Sequence, residues 1–169
     1  VDAIFEAVSG ITTTGSTVFS ELDKMPKGLL LWRGILQWLG GIGIIVVAMV
    51  FLPELRVGGM QIFRAEGFDT LGKILPRATT IAFQISIIYV GITIACGLAY
   101  VLAGMSFFDA VVHSFTTVAT GGFSNYDKSF SVFSWKVEYV AILFMILSAL
   151  PFVRYVQLIN GQGTAVFKD

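Results

Sequence analysis

Charged residues are scarce in this chain. Asp, Glu, Lys and Arg together make up 13% of the 169 residues, whereas a soluble domain has about a quarter of such residues. Hydrophobic residues make up 56%, and the mean hydropathy is +0.83. A soluble domain is therefore excluded, and the composition predicts an integral membrane protein whose first partner is lipid.

Clustered charge, cysteine and histidine are also nearly absent. The formal net charge is zero and no run of like charges occurs, so we expect no nucleic-acid partner. Cys96 is the only cysteine, which excludes an intramolecular disulfide and a cysteine-based metal cluster. His113 is the only histidine, and the sequence shows no nucleophile and acid grouped with it, so an enzyme is the least expected class.

A repeat organises what is present. Residues 2–17 return without a gap as residues 109–124, at a constant offset of 107 positions (Asp109 against Asp2). Each copy is a short, apolar, helix-like stretch ending in a Thr/Gly run, and a longer apolar stretch follows it. This order is typical of a re-entrant pore loop. Because the chain begins at Val1, inside the first copy and without Met, we interpret it as an excerpt of a longer polypeptide.

Three apolar stretches are long enough to span a bilayer, namely residues 29–52, 77–103 and 137–159. Their charges, such as Arg33 and Arg154, lie near the ends, where long side chains reach interfacial water. Two of these spans, 29–52 and 77–103, lie between the two Thr/Gly loops, so both loops are on the same face of the membrane. Basic residues divide almost evenly between the two faces, so the positive-inside rule does not orient the chain.

The Thr/Gly runs have the composition of a cation pathway. A ring of backbone carbonyls replaces the hydration shell of a small cation without adding fixed charge. Gly15 and Gly122 occupy equivalent positions of the repeat, where the lack of a Cβ allows the backbone to turn its carbonyls toward an axis. The hydroxyl of Thr12 has two open interpretations: it coordinates an ion, or it bonds back to the preceding helix.

The short helix before each run predicts a second contribution. Its C-terminal end, which carries partial negative charge, points at the run and favours a cation. Ser106 and Asp109 have the spacing of a capping box. Glu6 and His113 align in the repeat, and we interpret them as hydrogen-bonding supports behind the run, with exposure to internal water as the alternative. On that interpretation Glu6→Gln is mild, because an amide still forms hydrogen bonds.

Further motifs accompany the repeat, in the first span and in the loop after it: Trp32-Arg33, Gln37-Trp38-Leu39-Gly40-Gly41-Ile42-Gly43, Gly58-Gly59-Met60-Gln61 and Phe63-Arg64-Ala65-Glu66. Together with the repeat they resemble the membrane subunit of bacterial Trk potassium uptake systems, in the Trk/Ktr/HKT superfamily. The resemblance covers nearly the whole chain and weakens after about Asn160.

The resemblance implies an all-α integral membrane fold of four pseudo-repeats around one potassium pathway, of which this chain holds about one and a half. It divides the chain into the end of the first repeat (1–52), a cytoplasmic connecting loop (53–76), the second repeat (77–160) and a cytoplasmic tail (161–169). It also implies a multi-pass protein of the bacterial inner membrane with both Thr/Gly loops outside, a homodimer, and a cytoplasmic regulatory ring that binds NAD or ATP.

The family's filter, carried over by position, gives a set of candidate residues that bind K⁺ mainly through backbone carbonyls: Thr13, Thr14, Gly15 and Ser16 in the first copy, and Thr120, Gly121, Gly122 and Phe123 in the second. Neither copy reads Thr-Val-Gly-Tyr-Gly, so the resemblance implies preference for potassium over sodium, not exclusion of sodium. Two other classes stay open. They are a secondary transporter with broken helices, which needs substrate-binding charges inside the spans, and a non-conducting scaffold subunit.

Overall fold

The computed structural model describes residues 1–54 and 74–159, and this part of the chain is helical without a β-strand. Two 3₁₀ turns, Leu22–Lys24 and Ser129–Val132, follow the two Thr/Gly runs. The α-helices in chain order are α1 (Asp2–Ile11), α2 (Lys27–Glu54), α3 (Ile74–Leu102), α4 (Phe107–Val118), α5 (Trp135–Ala149) and α6 (Phe152–Ile159). The predicted all-α fold is confirmed.

The two long helices match the first two predicted spans. α2 has 28 residues and α3 has 29, and at about 1.5 Å per residue each is longer than a hydrocarbon core of about 30 Å. Ala82–Leu102 is the one segment of the described chain whose length and hydropathy together suit a membrane-crossing helix. Most of the predicted connecting loop (55–73) and the predicted tail lie outside the described residues.

The third predicted span is not a single helix. α5 ends at Ala149 and α6 begins at Phe152, so the stretch 137–159 is interrupted. Leu150 is extended, with φ −71° and ψ 142°, because the ring of the following Pro151 disfavours a helical residue before it. Pro151 also lacks the N–H that would continue the helical hydrogen bonds. The prediction of one uninterrupted span overlooked this proline.

α3 packs at the centre of the described helices. Its buried aromatic residues contact α2 and α4: the Tyr89 hydroxyl donates to the carbonyl of Trp38 (3.0 Å), and Tyr100 Oη lies 2.7 Å from Thr117 Oγ1. Cys96 is fully buried at the same helix contacts. The core that forms around it consists of Tyr89, Cys96, Tyr100, Met105, Ala110, Val118, Val137, Ala141 and Phe144.

Two glycines let α2 lie directly against the C-terminal ends of both short helices. A methyl group added at Gly40 would overlap the carbonyl oxygen of Ile11, the last residue of α1. A methyl group at Gly41 would lie 2.6 Å from Tyr89 Oη and 3.0 Å from Cα of Ala119, the residue after α4. Small residues permit such close helix packing in membranes. α2 therefore places both Thr/Gly runs beside one another.

This contact predicts a difference between two Gly→Ala substitutions in α2. In the full-length protein, Gly40→Ala should lower the free energy of unfolding by about 1–3 kcal/mol, because the added methyl group has no space. Gly28→Ala meets no atom within 4 Å and should leave stability unchanged or slightly higher, since alanine favours helix. Thermal unfolding of the purified protein in detergent measures both. Equal melting temperatures would contradict the close contact.

Candidate functional site

The two Thr/Gly runs have the same backbone conformation, which is rare for non-glycine residues. We name residues 13–16 the first segment and residues 120–123 the second segment. Each contains a left-handed threonine followed two positions later by a left-handed glycine, and the φ angles are 54° at Thr13, 77° at Gly15, 53° at Thr120 and 81° at Gly122. The glycines meet no steric penalty there, whereas the threonines do. The two copies of the repeat therefore share a backbone conformation as well as a sequence pattern.

The N–H groups of the first segment are used by the helix that precedes it. The carbonyl of Ser9, in the last turn of α1, accepts from the N–H of Thr14 (3.0 Å) and from that of Gly15 (3.5 Å). Since the N–H and C=O of one trans peptide point in opposite directions, the carbonyls of Thr13 and Thr14 point away from α1. One side of the segment thus presents oxygen acceptors.

The second segment repeats this arrangement. The carbonyl of Thr116 in α4 accepts from the N–H of Gly121 (3.0 Å) and from that of Gly122 (3.3 Å). By the same geometry the carbonyls of Thr120 and Gly121 point away from α4. The Gly121 carbonyl lies so close to Gly15 that a methyl group there would overlap it. The carbonyl side of the second segment therefore lies against the backbone of the first segment at Gly15.

A cavity of about 350 Å³ opens beside the two segments. It is lined by both left-handed glycines, Gly15 and Gly122, and by residues that follow them, among them Thr17 and Asp127. Asp127 joins the two loops, because its carboxylate accepts from the N–H groups of Glu21 (3.0 Å) and Leu22 (3.1 Å). The two loops thus lie at the same end of the described structure, as the number of spans predicted.

The hydroxyl of Thr12 is used locally. It donates to the carbonyl of Val8 at 2.7 Å, and its oxygen lies 2.8 Å from the hydroxyl of Thr14. Of the two interpretations left open by the sequence, the structure favours the bond back to the helix.

Glu6 is buried and contacts the residues immediately after the first segment. The residue is 3% exposed. One carboxylate oxygen accepts from the hydroxyl of Thr17 (2.7 Å), and the other accepts from the N–H of Val18 (3.1 Å). Glu6 therefore contacts the loop that leaves the run, one and two residues beyond Ser16.

His113 takes the corresponding place in the second copy and is fully buried. Its Nδ1 lies 2.9 Å from the carbonyl of Asp109, and its Nε2 lies 3.1 Å from Ser124 Oγ. A carbonyl only accepts, so Nδ1 carries the proton, and in the neutral ring Nε2 accepts from the Ser124 hydroxyl. The same hydroxyl oxygen accepts from the N–H of Tyr126. His113 thus holds the residue that follows Phe123.

Asp109 has a second function besides capping α4. The Ser106 hydroxyl oxygen accepts from the Asp109 N–H (3.2 Å), as the capping spacing predicted. Its O–H donates to the Asp109 carboxylate (2.7 Å). The carboxylate also accepts from the amide of Asn125 (2.8 Å) and the hydroxyl of Tyr126 (3.0 Å). The start of α4 is therefore tied to the loop that leaves the second segment.

Arg33 is placed differently from the sequence prediction. It was expected near the end of a span with its charge reaching water, but its side chain is buried, with 2% of the residue exposed. Its guanidinium lies against the Glu6 carboxylate, with Nε and Nη2 both 2.7 Å from Oε1. Burial of the charge is tolerated because an opposite charge and several acceptors surround it. The sequence feature that could have indicated this ion pair is the presence of one acidic residue, Glu6, within the first short apolar helix and one basic residue, Arg33, within the following span.

Comparison with known proteins agrees with this geometry. The chain matches the family TrkH, described as a cation transport protein, over residues 1–165. The chain belongs to this family. It is accordingly part of an integral protein of the bacterial inner membrane, as the resemblance implied.

Individual members of the TrkH family are similar over nearly the whole chain. The Trk system potassium uptake protein TrkI of Halomonas elongata is 48% identical over 170 residues, and TrkH of Escherichia coli K12 is 44% identical over 169. These alignments include 99% and 98% of this chain, and 35% of each relative. The chain therefore spans about a third of the length of these relatives.

A solved structure of the family has the same fold. The crystal structure of the potassium transporter TrkH from Vibrio parahaemolyticus superposes with a TM-score of 0.75 at 40% sequence identity. The match covers 96% of this chain and 32% of that protein. These relatives are named as transport proteins, not as enzymes.

The Glu6–Arg33 ion pair changes the expectation for Glu6→Gln. An amide has one acceptor oxygen in place of two, so it keeps only one of the hydrogen bonds accepted from Thr17 and Val18. It also leaves the Arg33 charge buried without its partner, so stability should fall by about 3–5 kcal/mol. Asp2→Asn, at an exposed acidic residue of the same helix, should change it by less than about 1 kcal/mol. Thermal unfolding of the full-length protein compares the two. A Glu6→Gln protein as stable as Asp2→Asn would mean that the pair contributes nothing.

Proposed function

We propose that this chain contributes two of the re-entrant filter segments of a potassium uptake pathway. The observation that carries the proposal is the direction of the backbone. In both segments N–H groups bond to the preceding helix, so the carbonyls of the same peptides point away from it, and the Gly121 carbonyl lies against Gly15 of the other segment. An array of carbonyl oxygens without fixed charge is the arrangement that replaces the hydration shell of K⁺.

The two short helices strengthen the preference for a cation. α1 and α4 both end at a segment, and a helix C-terminus carries partial negative charge. In the proposed pathway the ion contacts the carbonyls of Thr13, Thr14, Gly15 and Ser16, and of Thr120, Gly121, Gly122 and Phe123. The names of the relatives as potassium uptake proteins support the choice of ion.

Glu6 and His113 serve in this proposal as supports of the filter. Each is buried, each lies on a helix that precedes a segment, and each bonds to a residue directly after its segment. They limit how far the segments can move apart, which preserves the spacing of the carbonyls. Neither side chain contacts the ion in this arrangement.

The two alternatives from the sequence fit less well. A secondary transporter requires charges that are free to bind substrate inside the spans. The buried Arg33 is instead engaged by Glu6, by Thr17 and by the Ser124 carbonyl. A scaffold subunit without a pathway has no need for left-handed glycines at both equivalent positions, or for carbonyls directed away from their helices.

The partners and the orientation are proposed from the resemblance and from the relatives. The segments face the outside, residues 53–76 face the cytoplasm, and the whole protein forms a homodimer that binds a cytoplasmic regulatory ring with NAD or ATP sites. The relatives are named as proteins of a Trk system, which supports association with further components. Lipid surrounds the long helices.

The first test replaces the left-handed glycines. Gly122→Ser has space for its side chain but an unfavourable φ, whereas a side chain at Gly15 also overlaps the Gly121 carbonyl. We expect Gly122→Ser in the full-length protein to lower the ratio of rubidium to sodium uptake in potassium-starved cells, and Gly15→Ser to lower it further. Uptake is normalised to the amount of protein in the membrane.

Gly104→Ser is the matched control for backbone strain. Gly104 is left-handed, with φ 102° and no atom within 4 Å of an added methyl group, but it lies in the turn between α3 and α4. Its substitution should reduce stability and leave the uptake ratio unchanged. Selectivity like that of the parent protein in Gly122→Ser would remove the second segment from the filter.

The second test concerns orientation. Ser20 and Ser129 are exposed and line the cavity, while Gly67 lies outside the described residues. In a full-length Cys96→Ala background, an impermeant thiol reagent added outside should label Ser20→Cys and Ser129→Cys, but not Gly67→Cys. The opposite pattern, with Gly67→Cys labelled and Ser129→Cys protected, would reverse the proposed orientation.

A further inference from the structure

Two polar side chains of α2 are fully buried and have no role in the function proposed above. Arg33 and Gln37 are four residues apart, so they lie on the same face of the helix. Their exposed fractions are 2% and 0%. A buried glutamine in a membrane helix is costly unless its amide forms hydrogen bonds.

Both side chains contact the backbone of the second segment and the residue that follows it. Gln37 Oε1 accepts from the N–H of Phe123 at 3.1 Å. Arg33 Nη1 donates to the carbonyl of Ser124 at 3.0 Å. The Arg33 guanidinium also lies over the Phe123 ring, with Cζ 4.2 Å from the ring centroid. The chain is thus held at two consecutive residues directly after Gly122.

The same two side chains reach the first segment. Arg33 bonds to Glu6, in the helix before that segment, and to the hydroxyl of Thr17, directly after it. A methyl group added at Gly121 would overlap the amide of Gln37, and one added at Gly15 would lie 3.7 Å from Nε2. The amide of Gln37 therefore lies between the backbones of the two segments.

We propose that Arg33 and Gln37 are positioning residues that set the separation of the two filter segments, so that the preference for potassium over sodium depends on them. The inference rests on the proposed function. Neither residue touches the ion; each acts through the backbone of residues 123 and 124, and through the loop of the first segment. The second segment is thus supported by a helix of the first repeat.

The helix of the second repeat does not offer an equivalent pair. At the offset of 107 positions, Arg33 and Gln37 correspond to Val140 and Phe144, and one residue further to Ala141 and Met145. All four are apolar, and Phe144 and Ala141 belong to the core around Cys96. Among the described helices after a segment, only α2 provides this polar support, so its loss is not compensated by symmetry.

The test uses the full-length protein and the ratio of rubidium to sodium uptake. Gln37→Met fills the same space without a strong acceptor, which leaves the Phe123 N–H unpaired, and we expect the ratio to fall about fivefold or more. Gln37→Glu keeps an acceptor oxygen in place and should retain most of the ratio. A ratio like that of the parent protein in Gln37→Met, or an equal loss in both variants, would overturn the inference.

Arg33→Lys provides an independent variant should Gln37→Met not reach the membrane. Lysine keeps a positive charge beside Glu6 but lacks the planar fork that bonds to Glu6 and to the Ser124 carbonyl together. We expect a folded protein with a reduced ratio. An unchanged ratio in Arg33→Lys would contradict a role in positioning.

One control variant tests for general destabilisation, and one comparison variant separates this inference from the proposed function. Gln84→Met makes the same exchange at a half-buried glutamine of α3, on a helix that is separate from both segments, and should leave the ratio unchanged. Gly122→Ser reports on the filter itself. A reduced ratio in Gly122→Ser with a normal ratio in Gln37→Met refutes only the positioning role, whereas a normal ratio in Gly122→Ser refutes the proposed function.

Discussion

The structure depends on how backbone N–H groups are satisfied where the chain leaves a short helix. Inside a membrane protein an unpaired donor is costly, and non-helical backbone survives only where its groups are paired. The carbonyls of Ser9 and Thr116 each accept two N–H groups from the segment that follows. This pairing turns the segment carbonyls the other way and requires left-handed residues, of which one in each segment is glycine. The direction of the oxygens is thus a consequence of donor pairing.

A second constraint is the burial of charge. Arg33 is buried, and the Glu6 carboxylate 2.7 Å away compensates its charge, since an uncompensated buried charge is strongly destabilising. The same guanidinium bonds to the carbonyl of Ser124 in the other repeat. One ion pair therefore links the helix before the first segment, the long helix after it and the loop after the second segment. The requirement for charge pairing connects parts of the chain that are distant in sequence.

The two repeats share a backbone but not its supports. Glu6 holds the first loop, whereas His113, Ser124 and Asp109 hold the second through hydrogen bonds, and Arg33 bonds to both loops. The same backbone hydrogen bonds form in both copies, whereas different side chains hold the residues that follow each segment. A pathway built in this way has repeats that are equivalent in the positions of their carbonyls and different in the charges behind them.

The sequence by itself determined the membrane class, the all-α fold and the equivalence of Gly15 and Gly122, because composition, the length of apolar stretches and the repeat can all be read without knowing any tertiary contact. It did not reveal the interruption at Pro151, which was hidden by the apolar residues on both sides of the proline. Only the tertiary structure decided that Arg33 turns inward and that Gln37 lies between the segments. Helical periodicity places these two side chains on one face of α2, but which neighbour that face meets is decided by the packing of α2 against both short helices.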